Sequence, residues 1–474
     1  MVVVFLSIDC GSSDTYSDEL NITWVGDDNY IQNGQSLTLN DPGLVSQAMT
    51  TLRVFDSRRK NCYPIGVSGG GQILVRASFY YGNYDGKSSP PSFGLQFDAN
   101  SWTTVETAMD QVVWYEAVYV VNGDATSVCV AQTQPNQLPF ISAIEARSLD
   151  PDMYAKVFSK DMYALFLRRR AAFGADDTVR YPHDLYDRIW DPSAVTNGCR
   201  ALVSDATFVN TGKSDRPPAT VLKTAVESTD VSSSMRLPTW LPPNEVPIYV
   251  NMYFTEMSSL SAAQKRSFDI FVDGAGEFRW RAMVPRYRDV TEYYIIRMAN
   301  SSTAFTLVAT TDSTLPPIIS AMEVFVISDV LSNGTNANDV ETLVLLQQQF
   351  GVLKDWSGDP CLPASYNWDW LNCSSDVTPR ITALYLSGFG LSGVLPDFSA
   401  LDALEIIDLR NNSFSGDFPE FLGNFPNLRE LNLADNGFSG SIPSSLTQNT
   451  KLKLERRAPT TAAIYKRRPN ERAR

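Results

Sequence analysis

A single histidine, His183, and six cysteines without one CxxC pair set narrow limits on the chemistry this chain can perform. A Ser-His-Asp triad would have to use His183, which stands in YPHDLY beside a proline and reads as loop surface. Zinc and thiol redox centres need clustered Cys and His ligands, and no such spacing occurs. Glycoside hydrolysis needs two carboxylates at a defined separation across a cleft. Adjacent carboxylates occur at Asp27-Asp28 and Asp176-Asp177, but such steps read as solvated turns and single out no catalytic pair. No glycine-rich loop, VAIK-type lysine strand, HRD or DFG sequence is present, which excludes kinase chemistry. The chain is therefore expected to be no enzyme, with no catalytic residue, metal or cofactor.

Charge and glycosylation signals point to where it works instead. Residues 1–450 hold thirty Lys/Arg against fifty-one Asp/Glu, whereas residues 451–474 hold nine against two. So acidic a body repels phosphate backbones, and nucleic acid is excluded as a partner. The sequons at Asn21, Asn300, Asn333, Asn372 and Asn411, taken with the even cysteine count, favour an oxidising secretory route and an extracellular or cell-surface location. The opening MVVVFLS lacks a basic start, is shorter than a signal peptide's apolar core, and reads equally well as a first strand. Nowhere does an uncharged apolar stretch reach the roughly 18 residues of a membrane span.

The elements that would carry a binding surface are written twice over. PFISAIEA near 140 recurs as PIISAMEV near 317. In the same order FGLQFD (Phe93 to Asp98) matches FDIFVD (Phe268 to Asp273), VRASFYY (Val75 to Tyr81) matches IYVNMYF (Ile248 to Phe254), and Trp24 matches Trp190 more loosely. The offset drifts upward, as loop insertions require, so residues 1–330 read as a tandem duplication. Both copies are rich in aromatic and β-branched segments bounded by Gly, Asn and Asp, which implies antiparallel strands in sandwiches. No Gly/Ser/Pro-rich linker separates them. Met153, Tyr154, Val157, Phe158, Met162, Leu165, Phe166 and Leu167 are too apolar to leave in water, so the two copies should form one rigid body.

Past a polar linker, LSNGTNAN (residues 331–338), the period changes. Val340, Leu343, Val344, Leu346, Phe350 and Leu353 fall near helical spacing, with Asn338 and Glu341 placed to cap the start. A shorter repeat follows, LYLSGFGLSGVLPDF, IDLRNNSFSGDFPEF and LNLADNGFSGSIPSS, tracked by Leu386, Leu409 and Leu433. This is a leucine-rich array of about three coils, in which Asn412 and Asn436 bridge backbone at the turns and Tyr385, Asp408 and Asn432 lie on the exposed strand face. That face either touches a ligand or serves as a spacer and co-receptor dock. The basic, proline-containing end after Glu455 is expected to be a disordered tail.

SIDCG near the start, RYPHDLYDRIW opening the second copy, the two ISA(I/M)E strands, DWSGDPC with WDWLNC, and the Phe-Ser-Gly coils together resemble plant malectin-like, leucine-rich-repeat receptor-like kinases over residues 1 to about 454. The resemblance implies a mainly β fold: malectin-like β-sandwiches at 1–150 and 151–330, a linker at 331–338, a helix and capping segment at 339–380, repeats at 381–454 and a tail at 455–474. In that family these parts face the cell exterior and are followed by a membrane helix and a Ser/Thr kinase, both missing here. His183 stands where the family usually has an acidic residue, a tolerated loop change. Malectin itself binds carbohydrate through loop aromatics, which by resemblance makes Tyr80, Tyr81, Tyr253 and Phe254 candidate ligand contacts, against the plainer reading that they are core. A disulfide between Cys361 and Cys373 is expected to staple the cap over the open end of the solenoid. The expected function is the extracellular ligand-sensing and partner-docking region of such a receptor, with a cell-wall glycan or peptide as ligand and a co-receptor ectodomain as a further partner. The alternative is a secreted lectin-like binder of cell-wall carbohydrate.

Overall fold

The computed structural model describes residues 4–39, 45–67, 69–158, 162–193, 198–272, 277–450 and 452–455. Of the tail expected at 455–474, Glu455 is instead paired as a strand residue opposite Asn432, and the basic segment from 456 onward lies outside the described residues. The chain divides into two compact units, one formed by residues 1–58, 64–95 and 102–331, the other by 59–63, 96–101 and 332–474.

The first unit is built on one eleven-stranded sheet. Its long strands are β1 (Phe5–Asp9), β2 (Gly71–Phe79), β3 (Val113–Val121) and β4 (Ala143–Ser148) from the first copy, and β5 (Leu165–Phe173), β6 (Val246–Phe254), β7 (Thr291–Ala299) and β8 (Ala321–Ile327) from the second. Across the sheet they run β1-β4-β2-β3, then β5-β8-β6-β7, so the second copy repeats the order of the first. The halves are hydrogen-bonded together, because the last strand of one pairs antiparallel with the first strand of the other at Ala117↔Phe166 and Val118↔Leu165. A separate four-stranded sheet backs each copy: Lys60–Gly66, Ala125–Ala131, Ser92–Phe97 and Asn100–Glu106 in the first, and Met235–Leu237, Phe305–Ala309, Phe268–Val272 and Glu277–Met283 in the second.

Alternation along the strands explains the layers. In β6, Ile248, Val250, Met252 and Phe254 point between the sheets and pack on Phe268, Ile270, Phe305 and Leu307. The intervening Tyr249 points the other way, into a layer with Leu74, Val118, Met153, Tyr154, Leu165 and Phe325 that spans both copies. Apolar residues of the connecting segment thus cover the junction, each fully buried one contributing about 1.5–3 kcal/mol.

In the second unit, α1 (Ala337–Gln349) leads into the solenoid. Its N-cap is Asn336, whose side chain accepts from the backbone N–H of Asn338 and Asp339, so the helix begins two residues before the Asn338 expected from sequence. Leu343, Leu346, Phe350 and Leu353 are buried as the spacing requires, but Val344 is exposed. The parallel strands β9 (Ile381–Tyr385), β10 (Ile406–Asp408), β11 (Glu430–Asn432) and β12 (Lys453–Glu455) form the main ladder. The last rung falls within a segment whose sequence abandons the repeat. Asn412 donates to the carbonyls of Leu386 (2.8 Å) and Leu409 (3.0 Å) and accepts from Leu391 N–H, tying adjacent coils together. Asn436 repeats the arrangement one coil on. Cys361 and Cys373 are joined by a disulfide, and Cys62 and Cys129 are also disulfide-bonded. Asp359, in the Gly-Asp-Pro-Cys turn, accepts from Thr335 (N–H and hydroxyl), Cys361 N–H and Leu362 N–H, so the polar stretch before α1 is anchored by side-chain bonds. Among the described residues no helix is long and apolar enough to cross a membrane.

Candidate functional site

The four candidate aromatics lie inside the protein. Tyr81, Tyr253 and Phe254 have no exposed surface and Tyr80 has 5%. Tyr81 donates to Asp85 (2.5 Å) and Tyr253 to Glu323 (2.6 Å), while Phe254 packs on Phe268. A ring must offer a face to solvent to stack on a sugar, and these do not. The alternation that buries Phe254 between the sheets turns Tyr253 into the layer on the opposite face, so neither orientation reaches water.

That opposite face carries an ionic network across the junction of the two copies. Arg170 on β5 bonds Glu116 on β3 (2.9 Å) and Glu323 on β8 (2.6 Å), all three side chains being fully buried. Arg76 on β2 adds a second cation to Glu116 (2.7 Å) and reaches Glu145 on β4 (3.0 Å). Burial alone would push the Glu116 carboxyl up, but Arg170 and Arg76 hold it below its ordinary range. RYPHDLYDRIW covers the network: Arg180 and Asp187 bond each other and the charges on β4, Arg188 bonds Asp184 (2.8 Å), and the Trp190 indole N–H donates to Asp184 (2.7 Å). His183, in the same segment, is exposed. Asp27, expected in a solvated turn, is instead fully buried against Arg53, whereas Asp176 and Asp177 are exposed.

At the far end of the sheet a cleft of about 440 Å³ opens beside the start of β7. Lys156, Lys213 and Arg286 line it with Glu292, Tyr293 and Tyr294. Lys213 and Arg286 approach one carboxylate, Asp289, at 3.7 and 3.6 Å, and Lys156 stands 5.9 Å over the Tyr294 ring. Burial first, and the neighbouring Asp215 second, push Glu292 up to about 7; burial likewise lifts Asp215 to about 6. The wall is therefore cationic and aromatic, a chemistry suited to anions and planar groups. Nothing in the sequence singled this cleft out, because its residues come from three distant segments.

On the solenoid, Tyr385 is exposed and Asp408 half-buried, but Asn432 is buried beneath Glu455, to which it donates at 2.9 Å. Of the sequons, Asn21, Asn333, Asn372 and Asn411 are exposed and Asn300 is half-buried. Among the described residues no group of His, Cys, Asp and Glu is placed to hold a metal ion.

Comparison with known proteins matches this architecture. The malectin-like domain model matches residues 8–327, and the leucine-rich-repeat model matches 403–425 and 427–449. A probable LRR receptor-like serine/threonine-protein kinase of Arabidopsis thaliana is 33% identical over 420 residues, covering 85% of this chain and 46% of the relative. The LRR receptor-like kinase IOS1 of the same plant is 33% identical over 415 residues, with 85% and 46% covered. The chain thus spans about half the length of these kinases. Among solved structures, the ANX2 ectodomain of Arabidopsis thaliana superposes with a TM-score of 0.59 at 17% identity, covering 69% of this chain and 97% of that one. The plant peptide RALF23 complex with FER and LLG2 contains a chain that superposes at 0.58 and 17%, with 69% and 95% covered. With two thirds of its length matched by one domain model, this chain belongs to the malectin-like domain family, and it carries leucine-rich repeats at its C-terminal end.

Proposed function

We propose that this chain is the extracellular ligand-sensing and partner-docking region of a malectin-like, leucine-rich-repeat receptor-like kinase. The observation that carries the reading is the order of parts: a malectin-like match over 8–327 followed by repeats, in a chain one-third identical over 85% of its length to receptor kinases. No kinase domain is among the matched families, so the signalling chemistry belongs to another part of such a receptor. A peptide ligand with a co-receptor is favoured over a glycan. One structural neighbour belongs to a complex of a plant peptide with two proteins, and the aromatics a sugar site would need are buried here. The four exposed sequons suit passage through the secretory route.

The test is a binding experiment on the purified glycosylated chain, offered in parallel a panel of secreted peptides, a panel of receptor ectodomains and an array of cell-wall oligosaccharides. Saturable binding to a peptide or an ectodomain is expected. Binding confined to oligosaccharides would replace this reading with the lectin one.

A further inference from the structure

The fused sheet ends in an unfilled version of its own junction, and we propose that the outer edge of β7, with the cleft at its start, binds an extended acidic segment of a partner polypeptide as a further strand. The argument starts from the internal repeat. β7 holds in the second copy the place that β3 holds in the first, and β3 is paired on that side by β5. Register makes the correspondence residue by residue. The glutamates of the two ISA(I/M)E strands, Glu145 and Glu323, lie opposite Arg76 and Asn251, and across from these on the other side stand Glu116 and Tyr294; two residues on, Val118 and Ile296 correspond in the same way. Where the junction is filled, Glu116 and Val118 are 1% and 0% exposed; at the end of the sheet Tyr294 and Ile296 are 40% and 47% exposed. Met298 continues the same face at 47%.

Among the described residues no strand pairs beyond β7. An unpaired edge flanked by an apolar stripe is a template for strand addition, with backbone bonds supplying affinity and alternate side chains supplying specificity. Charge selects the occupant. At the filled junction the incoming strand is basic (Arg168 to Arg170) and meets the acid Glu116. At β7 that acid is replaced by Tyr294, and the nearby charge is the cationic wall of Lys156, Lys213 and Arg286. A basic strand like β5 is repelled there and an acidic one is drawn in. A second copy of this chain is a poor occupant, since its β5 is basic and already paired with its own β3.

This inference rests on the peptide-sensing reading and gives it a place and a chemistry. The whole chain is titrated calorimetrically at low salt with three short capped peptides: one alternating Glu and Val, its Lys–Val counterpart, and an N-methylated Glu–Val version that cannot bond along one edge. The Glu–Val peptide is expected to bind at least about tenfold more tightly than either control. Lys156→Glu and Ile296→Asp, both at exposed positions, are each expected to weaken it by about tenfold. Equal affinity for all three peptides, or indifference to both variants, overturns the edge assignment. If the wild-type chain captures a natural peptide and both variants capture it equally well, the site falls and the receptor reading stands. If the chain binds a polyuronate oligosaccharide and no peptide or ectodomain, both fall.

Discussion

The sandwich pair and the repeat array both rely on polar side chains that bond from one strand or coil to another, but they use them over different distances along the chain. In the sandwich pair Arg170 ties itself to residues 54 and 153 positions away, in strands of both copies. In the array Asn412 reaches carbonyls at most 26 positions back, one coil, and Asn436 does the same from the next coil. One arrangement makes every strand of a large sheet depend on the others; the other adds stability coil by coil. The first should unfold as a block and the second should fray.

The largest effect that could break this contrast is at Arg170. Arg170→Met leaves Glu323 and half of Glu116 buried without a charge partner, at a cost of about 3–5 kcal/mol. Hydrogen exchange should show β2, β3, β5 and β6 losing protection together. Protection retained in β2 while β6 opens would mean that the copies are separately stable. Leu431→Ala, in a fully buried position of β11, should cost about 3 kcal/mol. Its signature is local: faster exchange from Leu428 onward with β9 nearly unchanged. Uniform loss across the array would make the solenoid as cooperative as the sheet.

The smallest effect is a pH dependence confined to the sandwich pair. Asp215 and Glu292 are raised to about 6 and about 7, so their folded forms hold protons more tightly than the unfolded chain does. Ionising them is a cost that grows as pH rises from about 4 to 8, and it is relieved as pH falls through 7 and 6. Glu116 has the opposite sign, but its lowered value places its loss in more acidic solution. Urea midpoints for the sandwich pair should therefore correspond to a gain on the order of 1–2 kcal/mol between pH 8 and pH 5, flattened by Glu292→Gln. A steady decline over that window would show that these acids are solvated.

The tandem sandwiches and the coils were legible because each is a repeated phrase, and repetition survives substitution of single residues. The disulfide was legible for another reason: an open solenoid end needs a cap, and Cys361 and Cys373 lie 12 residues apart directly before the first coil. What escaped depends on contacts between distant segments. Arg168-Arg169-Arg170 reads as a surface charge run, yet a β-bulge between Leu167 and Arg169 leaves Arg168 exposed and sends Arg170 into the junction. Tyr253 carries the aromatic signature of a sugar site, and only the position of Glu323 reveals that its hydroxyl is satisfied inside. The helix start missed by two residues because Asn336 and Asn338 are equally good caps in isolation, and Asp339, fully buried against Arg380 and the Ile381 N–H, decides between them. The strongest overlooked signal was RYPHDLYDRIW. Two arginines and two aspartates beside a tryptophan in one short loop are excessive for a solvated turn, and a buried network is what such a loop can cover.

The fusion of β3 to β5 also bears on the ancestry of the molecule. A duplicated gene segment is ordinarily expendable, since deleting one copy restores the parent. Here Glu116 in the first copy and Arg170 in the second have specialised into acceptor and donor of a single contact, and a recombination event that removed either half would leave the survivor with a bare sheet edge and a stranded charge. The duplication has become a one-way step: its descendants inherit both copies as one indivisible part.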